Sequence, residues 1–284
     1  MGLHGAVHFR VVQERPGLVG GHVDERLADY RDITLDEVKQ FYAAFYGADS
    51  SQLAVVGDFD RAAITTLAEQ LLVGWKNATP FVRLVSPYKD APAINQTIVT
   101  PDKPNASFNA GMNIRLKQDD PDYAALVIGN YMLGGDFNSR IVARLRQKEG
   151  LSYGAGSGVA ADFFDQSGSF TSSAIAAPDN IARLETAFRE EVARALKDGF
   201  TADELRTAKA GWRQSNEIER AQDYALVATL RQYLLQGRTL AWDQRLEDAV
   251  ARLTPADVLA AMRRHIDPAR LSVVKAGDLS RAAK

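Results

Sequence analysis

Two stretches of this chain carry nearly the same text. Residues 33–60 read ITLDEVKQFYAAFYGADSSQLAVVGDFD, and residues 253–280 read LTPADVLAAMRRHIDPARLSVVKAGDLS. Ile33 and Leu253 lie 220 positions apart, as do Thr34 and Thr254, Val38 and Val258, and the Gly57-Asp58 and Gly277-Asp278 pairs. A shift of two residues brings Leu53-Ala54-Val55-Val56 onto Leu271-Ser272-Val273-Val274. In both copies a Thr precedes an amphipathic run with an acidic residue, Glu37 or Asp257, at the third helical position, the pattern of a capping box. Each helix is predicted to lead into a short β-branched strand that ends at Gly-Asp. A repeat of this period is the size of a domain, far beyond the units of a solenoid.

The spacing predicts one complete unit and the tail of an earlier one. Residues 1–78 are expected to be the C-terminal part of a preceding homologous domain, 79–94 a linker, and 95–284 a complete domain. Some thirty residues precede the first copy, too few for a unit of the same kind, so the chain reads as a fragment of a larger protein. Within those first thirty, HFRVVQERPGLVGGHVDE has no clean period and reads as connecting structure with an incomplete strand.

With 46% apolar and 25% charged residues, the chain can bury a substantial core. A net charge of −2 gives no reason to expect nucleic acid or a membrane surface as the main partner. No apolar run approaches the ~20 residues of a spanning helix. The absence of cysteine excludes disulfides, thiolate metal sites and a cysteine nucleophile.

Pro80, Pro87, Pro92, Pro101 and Pro104 punctuate a linker-like stretch, inside which NQTIVT is a candidate strand. The following text alternates, with Phe108, Ala110, Met112, Ile114 and Leu116 on one side of a half-buried strand. DPDYAALVIGNYMLGG reads as a helix stopped by Gly134 and Gly135. Two small-residue strands are expected next, joined by a turn between Asp165 and Gly168. Ile181, Leu184, Phe188, Val192, Ala195 and Leu196 mark one face of a helix ending at Gly199. Thr201 and Glu204 open a second capping box and a long helical stretch running to Gly237. Strands followed by helices, then helix and strand again, predict an α+β unit: a mainly antiparallel sheet with helices on one face.

The ordinary catalytic signatures are missing. His4 and His8 in HGAVH have the i, i+4 spacing of helical zinc ligands, but the base Glu is absent and Gly5 weakens a helix. His22 stands alone, and His265 falls in the last turn of the repeated helix, where a positive charge suits the helix dipole. Neither H-x-x-E-H nor H-E-x-x-H occurs, and GAGSGV has neither the spacing of a nucleophile elbow nor the helix a dinucleotide loop requires. Asn105-Ala106-Ser107 matches a glycosylation pattern that recurs often by chance. YMLGGDFNSRIVARLRQKEGLSYGAGSG is instead dense in groups that can grip a peptide backbone. On residue chemistry alone, Arg146 in it reads as a solvated helix charge and Tyr153 as a packed strand residue.

LGGDFNSRIVARLRQKEGLSYG closely resembles the signature of the C-terminal, non-zinc domains of the pitrilysin/insulinase family of zinc metallopeptidases. VVGDFD, TPDKPNA, DGFTADEL and LTPADV agree with it, so the resemblance runs from about Asp32 onward. It implies homologous α+β domains paired into halves that close around a peptide substrate. Zinc and the general base are implied to sit on an N-terminal domain or partner subunit of the same family, absent here. A later domain supplies an Arg and a Tyr seven residues apart, matched by Arg146 and Tyr153, with Gly150 and Gly154 leaving room for a substrate backbone. A guanidinium and a protonated phenol can both donate to a substrate carbonyl as negative charge develops on its oxygen. The resemblance also admits a non-catalytic structural or assembly subunit, the role relatives play as core subunits of respiratory complexes. No residue of this chain is expected to bind a metal. Metal analysis after dialysis should therefore find no stoichiometric zinc, and one equivalent retained, then lost on mutating His22 or His265, would contradict this.

Overall fold

The computed structural model describes residues 30–279. Residues 1–29, with His4, His8, His22 and the expected connecting segment, lie outside the described residues. The chain divides into two compact units after Leu84.

In the first unit, helix α1 (Leu35–Phe45) begins at a capping box in which the Thr34 hydroxyl accepts from the Glu37 N–H and the Glu37 carboxylate accepts from the Thr34 N–H. Helix α2 (Arg61–Leu72) is capped by Asp60, which accepts from the N–H groups of Ala62 and Ala63. Neither helix buries a residue, and Leu35, Val38 and Tyr42 are all exposed.

The second unit is built on a five-stranded sheet of β1 (Asn95–Val99), β2 (Ala106–Ile114), β3 (Ser152–Ala161), β4 (Gly168–Ala176) and β5 (Ser272–Gly277), in the order β1-β5-β2-β4-β3. All pairs are antiparallel except β1 with β5. On β2, Phe108, Ala110, Met112 and Ile114 are buried, as is Leu116 just beyond it, while Ser107, Asn109 and Asn113 stay exposed. The core therefore lies against one face of the sheet. The Phe108 ring meets Phe188 edge-on at 5.2 Å between centroids. Phe188 belongs to α5 (Ile181–Asp198), whose Leu184, Val192 and Ala195 are buried on the same stripe. The helix stops where Gly199 takes a positive φ of 70°.

The second copy of the repeat is α9 (Pro255–His265) and β5. Thr254 and Asp257 form its capping box, and Val258, Ala261 and Met262 are buried. This helix packs closely on α3 (Tyr123–Asn130): a Cβ at Gly129 would stand 3.0–3.1 Å from Met262 and Val258. At its end, His265 Nε2 meets Asp122 Oδ2 at 2.9 Å, and Arg264 donates twice to the same carboxylate. Those bonds, Arg264's above all, hold the Asp122 carboxyl below the usual range. His265 is thus a structural partner of Asp122, the residue before α3.

Two expectations need correction. The first-copy strand over Leu53–Val56 is not formed. β5 finds β1 on one side and β2 on the other, whereas residues 51–56 pair with no strand among the described residues, and Leu53 and Val55 stay exposed. Strand propensity without a ladder partner does not make a strand. The long helix from Thr201 is also two: α6 (Ala202–Arg220) and α7 (Asp223–Gln236) break at Ala221 and Gln222, followed by α8 (Ala241–Arg252).

Thr201 and Glu204 cap α6 as expected, and Glu204 does more. Its carboxylate accepts from Arg140 Nε at 2.7 Å and Nη2 at 2.8 Å, a fork that holds its pKa at about 2. The value is depressed from 4.5, so the contribution is complete above pH 4.5 and disappears as pH falls toward 2. Partial exposure screens the pair, leaving about 1–2 kcal/mol. Urea unfolding should show Glu204→Gln less stable than wild type by about that amount at pH 7, with the gap narrowing through this acidic window. A gap independent of pH would contradict the assignment.

Candidate functional site

The signature segment is pinned to edge strand β3 before it reaches any candidate catalytic group. After α3 the chain widens into a π-helical turn (Tyr131–Gly135). A Cβ on Gly134 would fall 2.4 Å from the Ser157 hydroxyl and 2.8 Å from the Ser157 backbone nitrogen, so only glycine fits between this turn and β3. Asn130 completes the join: its Oδ1 accepts from the Ser157 hydroxyl at 2.7 Å, and its Nδ2 donates to the Ser157 carbonyl at 3.2 Å. Gly135 is needed because a Cβ there would lie 2.8 Å from Asn130 Nδ2. The two glycines expected to stop the helix thus also let it lie against a strand.

From Asp136 the chain turns into a short helix, α4 (Arg140–Val142), which continues as a second π-helical turn (Ala143–Lys148). Ile141 and Leu145 are buried and fix its inner face. Arg140 is held by the Glu204 fork, with its guanidinium 4.3 Å from the centre of the Phe200 ring. Arg144 is bound by Glu149, Glu190 and the buried Glu191, and its hydrogen bond to Glu149, with those carboxylates around it, raises its pKa further. Arg146 differs from both. It is exposed and has no carboxylate partner among the described residues, and its guanidinium lies 4.7 Å from the centre of the half-exposed Phe137 ring.

The turn into β3 runs through Gly150, whose φ of 61° belongs to the left-handed region that favours glycine. Strand β3 opens on a bulge: Ser152 pairs with Ala176 and Gly154 with Ile175, leaving Tyr153 as the extra residue. The buried Ser152 hydroxyl stitches it, accepting from the Gly154 N–H at 3.1 Å and donating to the Ile175 carbonyl at 2.6 Å. Tyr153 is thereby turned outward and is 63% exposed. Asn105 Nδ2 donates to its hydroxyl oxygen at 3.1 Å, so the phenolic proton stays available for another acceptor. A Cβ at Gly154 would meet nothing within 4 Å.

Arg146 and Tyr153 are thus both exposed and stand on either side of one turn, but no hydrogen bond, ion pair or ring contact joins them among the described residues. Sequence reasoning missed Asn105 and Phe137, the groups each one touches. Asn105 lies in TPDKPNA and Phe137 in LGGDFNSRIVARLRQKEGLSYG, both part of the family resemblance, but nothing in either segment pairs these side chains with Tyr153 or Arg146. Among the described residues no group of three or more His, Asp or Glu side chains could hold a metal ion.

Residues 32–211 match the family model described as the peptidase M16 inactive domain. The chain is 26% identical over 142 residues to the Bacillus subtilis protein named "Probable inactive metalloprotease YmfF", covering 48% of this chain and 32% of that one. It is similar to a solved peptidase M16 inactive domain from Pseudomonas fluorescens, with a TM-score of 0.72 and 26% identity over 87% of this chain and 58% of the other. A protease from Helicobacter pylori shares the fold at a TM-score of 0.72 and 18% identity, covering 88% and 60%. The chain thus spans about a third of its curated relative and less than two thirds of these solved chains.

The glycines of the segment separate packing from function. Gly134→Ala should lower the thermal midpoint by several degrees, because a backbone nitrogen 2.8 Å from the new Cβ cannot move aside. Gly154→Ala should leave the midpoint within about two degrees of wild type. Equal midpoints for the two variants would contradict the packing described.

Proposed function

This chain belongs to the peptidase M16 inactive-domain family, and from that premise we propose that it forms part of the non-zinc half of a zinc metalloendopeptidase, helping to enclose a peptide substrate. Residues 1–78 are the end of a preceding homologous domain, 79–94 connect it, and 95–284 form a complete domain without a zinc motif. The zinc and the general base belong to an N-terminal domain or partner subunit of the same family.

The observation that carries this reading is the sorting of the arginines. Arg140 and Arg144 are tied by carboxylates to the helices behind them, while Arg146, in the same segment, is exposed and has no carboxylate partner among the described residues. An exposed guanidinium and an exposed phenol on either side of one turn supply two donors for one peptide carbonyl. Arg146 binds the carbonyl in the ground state. The hydrogen bond from Tyr153 strengthens as charge grows on the oxygen. Asn105 supports that role by occupying a lone pair of the phenolic oxygen and leaving its proton to point elsewhere. Gly150 and Gly154 leave room for a substrate backbone, and edge strand β3 offers it ladder partners.

In the complete protease, steady-state kinetics of Tyr153→Phe should show kcat reduced about 10- to 1,000-fold with a smaller change in KM. Arg146→Ala should weaken both binding and turnover. Neither should unfold the domain, since both side chains are exposed. Unchanged turnover in Tyr153→Phe would return the chain to the reading of a structural or assembly subunit.

A further inference from the structure

Among the residues of the five strands only Lys275 is charged. It pairs with Phe108 in the ladder, which puts it on the core face of the sheet, where its ammonium meets Glu185 at 2.6 Å. The opposite, open face therefore carries no charged side chain from any strand, in a chain of which 25% of residues are charged. A sheet face left to water gains solubility from charge, whereas a face that a peptide covers would have to strip water from every charge on it.

One transverse row of that face leads to the signature segment. Gly154 of β3 pairs with Ile175 of β4, Ile175 with Ser107 of β2, Ser107 with Ala276 of β5, and Ala276 with Ile98 of β1. Ile175 is flanked by a residue without a side chain on one side and by a serine on the other, and it is 41% exposed. The space over Gly154 is empty, since a Cβ there would meet nothing within 4 Å. The row ends at the bulge from which Tyr153 turns outward. Asn105, just before β2, donates to the hydroxyl of Tyr153 on β3, and β4 lies between those strands, so the phenol crosses the end of β4 that holds Ile175. A lone exposed isoleucine needs no explanation. One set beside an empty position, on a face without charge and next to a candidate oxyanion donor, does.

We propose that Ile175 determines specificity: it seats an apolar side chain on the substrate residue whose carbonyl Tyr153 receives, in the space left by Gly154, and the uncharged face rejects a charged side chain there. This rests on the role proposed above for Tyr153. A leucine-sized side chain loses its contact with water against Ile175, while a carboxylate or ammonium loses water and gains no partner.

The test compares, by kcat/KM in the complete protease, two peptides identical except for Leu or Glu at the residue that supplies the scissile carbonyl. The unaltered enzyme should favour the Leu peptide at least ~10-fold. Ile175→Lys loses the apolar contact and offers the glutamate a partner, so this preference should shrink at least ~10-fold. Ile175→Thr keeps the β-branch of a strand residue and adds no charge, so it should slow the Leu peptide ~3- to 10-fold without speeding the Glu peptide, and it serves where lysine disturbs folding. Tyr153→Phe should slow both peptides alike and leave their ratio unchanged. Equal rates for the two peptides in the unaltered enzyme, or a preference unmoved in folded Ile175→Lys and Ile175→Thr while Tyr153→Phe still slows turnover, would overturn the seat alone. Tyr153→Phe at full turnover would instead overturn the reading on which it rests.

Discussion

The exclusion of any side chain between Gly134 and strand β3 is the constraint on which the rest of this domain hangs. Because the π-helical turn lies directly on Ser157, the chain leaving it must run alongside the edge of the sheet. Asn130 makes the contact specific by satisfying both the hydroxyl and the carbonyl of Ser157, so neither element can slide without breaking two hydrogen bonds. Everything downstream inherits that placement. α4 follows, then the left-handed turn at Gly150, then the bulge that turns Tyr153 outward.

Electrostatics then divides labour among residues that look alike in the sequence. Arg140 and Arg144 hold the segment to α5 and α6 through charge-assisted bonds, reinforced for Arg140 by the Phe200 ring. The buried Glu191 has two guanidinium partners, Arg144 and Arg194, which offset the cost of placing a carboxylate there. Among the described residues Arg146 meets only the face of Phe137, so the substrate contact proposed for it would break no ion pair there. Two of these arginines tie the segment to the helices behind it, and the third is the one proposed above to act on a substrate.

How much of this could be read from the letters depended on whether the signal was local. The alternation from Phe108 to Leu116 names a half-buried strand because side-chain period and burial coincide. The three Thr capping boxes are complete at the level of sequence, since both partners lie within one turn. The strand expected over Leu53–Val56 failed because a strand needs partners that sequence cannot supply. Its counterpart β5 forms because β1 and β2 flank it. For the candidate site, Arg146 and Tyr153 were legible only through the family signature. Asn105 lies 48 residues from Tyr153, and Glu204 lies 64 from Arg140, separations at which no period or cap gives warning.

The central claim is the proposal that Arg146 and Tyr153 act on one and the same substrate carbonyl, although no contact joins them among the described residues. A double-mutant cycle on kcat/KM in the complete protease tests it most directly, using Arg146→Ala, Tyr153→Phe and the pair. If both donate to one oxygen, the losses should be strongly non-additive, with a coupling energy of about 1–3 kcal/mol. Losses that multiply independently, each unchanged by the presence of the other, would contradict the account.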